Sequence, residues 1–176
     1  TFVRRHTGVP APPTVMLGSG IIRRMHEPLR EHLARTLGWH DAHLTFEQAV
    51  AGIPESLRGA TAPGIRHTLW QLVEHIRLGQ SELLGLCSDP HYARTRTWPD
   101  DYWPETAAPA DTTAWDASIA ACVRDRAALA ALVSSERFEP FPEAPAGTPA
   151  YTGLRAILLA IDHTSYHVGQ IVSLRQ

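Results

Sequence analysis

Apolar residues recur along this chain at helical spacing, and no segment alternates over the length that a strand needs. The first helix is predicted to start near Glu27–Pro28, where a proline in the first turn loses little, and carries Leu29, Leu33 and Leu37 at i, i+4, i+8. Gly38 weakens the pattern, which resumes at Ala42, Leu44, Phe46, Ala49 and Val50 until Pro54 ends or kinks it. Residues 59–64 read as a turn-rich link. A second helix follows over about 64–86, its stripe being Leu69, Leu72, Val73, Ile76 and Leu83.

Residues 88–109 form a long irregular stretch holding four prolines interleaved with Tyr92, Trp98, Tyr102 and Trp103; so many aromatics predict a loop packed down as a lid. A third helix is expected after Asp111-Thr112-Thr113, with Thr113 and Asp116 as a capping box, running through Ile119, Cys122, Val123, Arg126, Leu129 and Leu132. A second Pro/Gly-rich loop spans 139–149. The fourth helix runs from about Thr152 to the end, with Leu154, Ile157, Leu158, Ile161, Val168, Ile171 and Val172 apolar. Four helices with long 1–2 and 2–3 connections and no strands predict an all-α four-helix bundle. Residues 1–24, with Pro10, Pro12, Pro13, Gly18 and Gly20, read as a flexible lead-in, and residues 25–176 as one domain.

Composition narrows the chemistry. The 176 residues carry a formal net charge of −2, and the arginines are dispersed among acids, so no nucleic-acid surface is expected. There is no lysine, which excludes Schiff-base and P-loop lysine chemistry. Two cysteines, Cys87 and Cys122, are too few for a disulfide scaffold or a cysteine zinc site, and both read as small buried apolar groups. No apolar run is long enough for a membrane span and no signal peptide is evident, so a cytoplasmic, reducing setting is the expectation. No GxSxG, P-loop or Rossmann fingerprint occurs.

The excess of histidine, ten residues, is the informative departure. His163 and His167 stand at i, i+4 on one face of the fourth helix, shared with Ala160, Gln170 and Leu174 and turned away from Arg155, Asp162 and Ser173. Two imidazoles one turn apart are half of a divalent-metal site, without the glutamate of an HExxH helix; a chance pair is the competing reading. His75, at the edge of the second helix's stripe, is either a hydrogen-bonding structural residue or a third ligand brought in by a facing helix, and three histidines with an open position are a catalytic zinc pattern. His40 and His43 form an i, i+3 pair read as surface or packing residues, although His43 is within range of a neighbouring site. His67 suits a capping or loop role, and His6, His26, His32 and His91 lie in loops or charged stretches.

The run Arg155-Ala-Ile-Leu-Leu-Ala-Ile-Asp162-His163-Thr-Ser-Tyr166-His167-Val-Gly169-Gln170 resembles the DinB/YfiT-like superfamily, whose D-H-x-x-Y-H-x-G-Q helix follows an R-E-I-L-type stretch. Trp70-Gln-Leu-Val-Glu74-His75-Ile-Arg77 resembles its W-x-L-L-E-H-x-R helix, and residues 39–44 and 101–104 look like recurrent pieces of one branch. Ala156 and Thr164-Ser165 depart from the pattern at positions that are not proposed ligands. The resemblance implies an up-down-down-up bundle with His75, His163 and His167 holding a divalent metal, zinc or nickel first, manganese or iron next. Gln170, Tyr166, Glu74 and Asp162 are the supporting candidates; only Gln170 shares the histidine face, and Glu74 and Asp162 suit surface pairing with Arg77 or Arg155. The implied activity is S-transfer from a bacterial low-molecular-weight thiol to a small-molecule substrate. A metal-dependent hydrolase and a non-catalytic metal- or ligand-binding stress protein are the alternatives, and a homodimer is left open.

Overall fold

The structure, a computed structural model, describes residues 19–38, 42–141 and 151–176, the first eight of them by backbone only. It is all-helical among the described residues: α1 (Ser19–Leu37), α2 (Phe46–Val50), α3 (Glu55–Arg58), α4 (Leu69–Ser88), α5 (Thr112–Ser134) and α6 (Gly153–Leu174). None of these helices is long and apolar enough to cross a membrane.

Helix starts follow side-chain chemistry. Thr45 and Thr68 each close a full capping box, with Gln48 and Gln71 three residues on. Thr152 caps α6, accepting from the Arg155 amide at 3.2 Å. Three expectations need correction. The second long helix begins at Leu69, because Thr68 stops the backbone there and residues 64–67 stay outside it. The cap of α5 is Asp111, which accepts from the Ala114 amide at 2.8 Å, so the Thr113–Asp116 box does not form; a carboxylate two residues earlier does the same work. And α1 begins at Ser19, with Pro28 inside it, so residues 19–24 belong to the helix and not to a lead-in; the helix tolerates the one hydrogen bond that proline removes.

The four long helices form a bundle in which α4 packs on α5 and α6, and α1 packs on the same two. Helix α6 runs antiparallel to α4: Gly79 faces His163, and Leu72 shares a cavity wall with Gly169 further along. Helix α5 lies beside α4 in the same direction, Glu74 meeting Ser118 near one end and Leu86 joining Leu129 in a cluster near the other. Parallel neighbours cannot be joined by a tight turn, so the chain must travel back the length of α4 before α5 begins. Residues 89–111 do this as a strap laid along the helix. Tyr92 packs on Gly85, Arg94 pairs with Glu82 at 3.4 Å, and Gln71 donates to the Pro104 carbonyl at 3.2 Å. Further on, Trp70 donates to Thr106 at 3.2 Å and Thr68 to the Ala107 carbonyl at 2.6 Å. The strap sits so close that a Cβ at Gly85 would meet the Tyr92 ring, and one at Gly59 the Ala108 methyl.

Two apolar clusters fill the interior. One gathers the late turns of α4 and α5 with the early turns of α6, around Leu83, Leu86, Leu129, Val133, Ile157 and Ala160. The other joins α2 to the opposite ends of the same helices, around Phe46, Leu72, Ile76, Trp115, Val168 and Ile171. Arg175 locks α6 to α2 by donating to the carbonyls of Gln48, Ala49 and Ala51, which the short helix leaves unpaired.

Candidate metal centre

Along the α4/α6 interface three histidines are set into the apolar interior, beside the second cluster and facing the first across His163. His75 stands on α4 between Leu72 and Ile76 and is only 2% exposed. It is buried outright, not placed at the margin of the stripe as its position suggested. His163 and His167 come from α6, one turn apart, and the three imidazole centroids lie 4.5, 4.6 and 4.7 Å from one another. One nitrogen from each ring falls within 4.8 Å of the other two, and no other group of three histidine, cysteine or acidic residues among the described residues meets that condition.

The strap and α6 itself fix which nitrogen His75 and His167 present. Nδ1–H of His75 donates to the Tyr102 carbonyl at 2.9 Å, which leaves Nε2 as a lone pair. Nδ1–H of His167 donates to Oε1 of Gln170 at 2.6 Å, with the same consequence. His163 brings its Nε2 to 2.8 Å from Nε2 of His75. Two imidazole nitrogens at that separation need a proton or a cation between them. Burial holds His75 down at about 4 and His163 at about 3, and lowers His167 as well, so all three rings are neutral near pH 7 and available as ligands. These features fit a divalent cation: three neutral donors, two with their far nitrogens anchored on oxygen acceptors, and no lysine or arginine among them.

Aromatic rings wall the cluster on the strap side. The Trp103 indole stacks on His75 at 3.7 Å with planes 2° apart, and on His67 at 3.6 Å and 5°, so it is sandwiched between two imidazoles. Trp98 leans over His75 at 6.0 Å and is 64% exposed, which puts it at the rim. Tyr102, buried beneath it, donates its hydroxyl to Glu82, and its pKa is pushed up by burial and by that carboxylate. Helix α4 makes room for His163 with a glycine: a Cβ at Gly79 would stand 3.3 Å from the imidazole Cε1.

Of the supporting candidates, Gln170 and Tyr166 reach the cluster. Gln170 orients His167, and Tyr166 sets its ring edge-on to His167 at 5.0 Å while staying open to solvent. The other three lie elsewhere. Glu74 points to α5, forming two hydrogen bonds with Arg77 at 2.7 and 2.8 Å and accepting from Ser118. Asp162 lines an exposed groove with Arg155 and Leu158. His43 sits on the far side of α6, 3.2 Å from the Ser165 hydroxyl and 2.8 Å from the Leu44 carbonyl. His32 and His91 are exposed, and the positions of His6 and His40 and the side chain of His26 lie outside the described residues. The sequence assigned no role to Gly79 or Glu82, and it placed Tyr102 and Trp103 only in a loop packed down on the bundle, without their contacts to His75. Gly79 had a readable signal, since it stands one turn from His75 on the same face of α4; the strap's aromatics signalled a packed-down loop, but its register on His75 depends on the parallel α4/α5 pairing.

Two cavities flank the cluster. One, of about 560 Å³, is bounded by Arg66, His67, Tyr166 and Gln170. The other, of about 420 Å³, has His163 in its wall together with Gly79, Trp98 and Tyr102. The fold and the histidine cluster define a helical bundle with a potential metal centre, and the sequence matches the DinB superfamily over residues 31–171, a span holding all three histidines. The chain belongs to that superfamily. No match is found among curated proteins or among solved structures.

Proposed function

We propose that His75, His163 and His167 hold one divalent cation, zinc or nickel before manganese or iron, and that the protein is a metal-dependent enzyme of the thiol S-transferase type, joining a low-molecular-weight thiol through its sulfur to a small electrophile. The observation that carries this reading is the convergence of three neutral imidazoles, one of which, His163, lines a cavity of about 420 Å³, with no carboxylate among the described residues completing the set. A bound divalent ion supplies Lewis acidity, which favours the ionised form of a thiol or of water.

The chain's own residues do the rest. The Tyr102 carbonyl and Gln170 hold the tautomers of His75 and His167, so both present Nε2. Trp103 and Tyr102 keep water from the strap side, and Trp98 borders the opening. In this reaction the thiol gives up its proton to solvent, its sulfur, still joined to its own carbon, bonds to the electrophilic carbon, and the leaving group departs with the bonding electron pair. The directions of α4, α5 and α6, with the long strap between α4 and α5, support an up-down-down-up bundle. Both cysteines are free and buried, with burial pushing Cys87 to about 11 and Cys122 to about 12, which suits a reducing cytoplasm.

The test is a thiol-conjugation assay with an electrophile, run on purified, chelated and metal-restored protein. Turnover is expected to disappear on chelation and return with zinc or nickel. A metal-replete protein that turns over no bacterial thiol would favour a hydrolase, if ester or amide substrates are cleaved, or a non-catalytic binder if they are not.

A further inference from the structure

The two cavities differ in charge. The one beside Gln170 has a single arginine, Arg66, in its wall. The one beside His163 has three, Arg94, Arg96 and Arg155, against one carboxylate, Glu82. In a chain whose formal net charge is −2, this is a local reversal of sign.

The three guanidiniums are held in place. Arg94 and Arg155 each lie 5.0 Å from the centroid of the same ring, Tyr151, which brings two like charges to one wall. Arg96 interacts with the Tyr92 hydroxyl on the strap. Glu82 offsets only one of the three charges, pairing with Arg94 at 3.4 Å while it accepts from Tyr102, and the wall keeps an excess of positive charge at Arg96 and Arg155. Arg155 also borders the groove that contains Asp162, but that carboxylate is not in the cavity wall. The remaining lining is apolar or aromatic: Trp98, Tyr151, Leu83 and Leu159.

We propose that this cavity binds the anionic end of the substrate, and that Arg96 and Arg155 select a small molecule with a carboxylate on an apolar or thiol-bearing body whose other end points toward His163. Cations fixed on a wall with an aromatic floor recognise a carboxylate by charge-assisted hydrogen bonds while the body of the ligand covers the rings. The inference rests on the thiol-transfer reading only for the reacting end; the anion site stands on the arginines.

Calorimetry on the full chain, metal-free and zinc-loaded, tests it with three probes: succinate, mercaptosuccinate and thioglycerol, with quenching of Trp98 fluorescence as a second readout. Succinate is expected to bind the metal-free chain, and mercaptosuccinate to bind the zinc-loaded chain more tightly than thioglycerol does. Arg96→Gln and Arg155→Gln should each weaken both carboxylated probes about tenfold and leave thioglycerol unchanged. Arg124→Gln, at an exposed position outside the cavity, should change nothing. Equal affinity for mercaptosuccinate and thioglycerol, or equal losses for all probes in the arginine variants, would overturn the proposal. Arginine-dependent succinate binding by a chain that takes up no zinc would support the anion site while sinking the metal reading.

Discussion

The interior of this bundle has two kinds of region. Its apolar clusters, around Leu129 and Ile157 at one end and around Leu72 and Trp115 at the other, are built from side chains that need only to be out of water. Between them, along α4 and α6, three imidazoles occupy space that leucines could fill. Burying polar rings costs stability unless each is hydrogen-bonded, and here the partners are a strap carbonyl, a glutamine one turn away and a neighbouring imidazole nitrogen. The apolar clusters therefore account for folding, and the histidine layer is the part of the interior whose composition fits the proposed metal site.

That division predicts opposite responses. The largest expected effect on folding is in the clusters: Leu129→Ala, at a fully buried position, should destabilise the protein by about 2–5 kcal/mol in denaturant titrations. The same variant, kept below its unfolding transition, should still bind one metal ion per chain. Loss of metal together with stability would mean that the layer and the clusters are one unit.

A smaller and sharper effect is expected at Gly79. Within a helix, alanine is favoured over glycine by about 1 kcal/mol, so Gly79→Ala should leave the metal-free Tm unchanged or raise it. The added methyl would nonetheless press on the His163 ring at 3.3 Å, and metal affinity should fall about tenfold. A lower Tm with unchanged affinity would show that Gly79 serves packing and not the histidine cluster.

The same comparison explains what was legible in the sequence. Helical periodicity exposed the apolar stripes of α4 and α6, because a buried face repeats every turn. The i, i+4 spacing of His163 and His167 placed both rings on one face for the same reason. His75 gave a weaker signal, since one polar residue in an apolar stripe does not reveal what faces it; the facing helix and the family pattern supplied that. Glu74 shows that helical angle outweighs adjacency: it is next to His75 in the chain but on another face, and it pairs with Arg77 as that angle suggests, with Ser118 as a further partner. The Tyr102 and Trp103 contacts were out of reach, because irregular backbone has no period, and their approach follows only once α5 is known to run parallel to α4.

The central claim is that His75, His163 and His167 form one site. Metal analysis of the wild-type chain after purification without chelator, set beside His163→Ala, tests it most directly, with circular dichroism confirming that both are folded. The account predicts close to one divalent ion per wild-type chain and essentially none in the variant at the same helical content. Full metal retention by folded His163→Ala would contradict it.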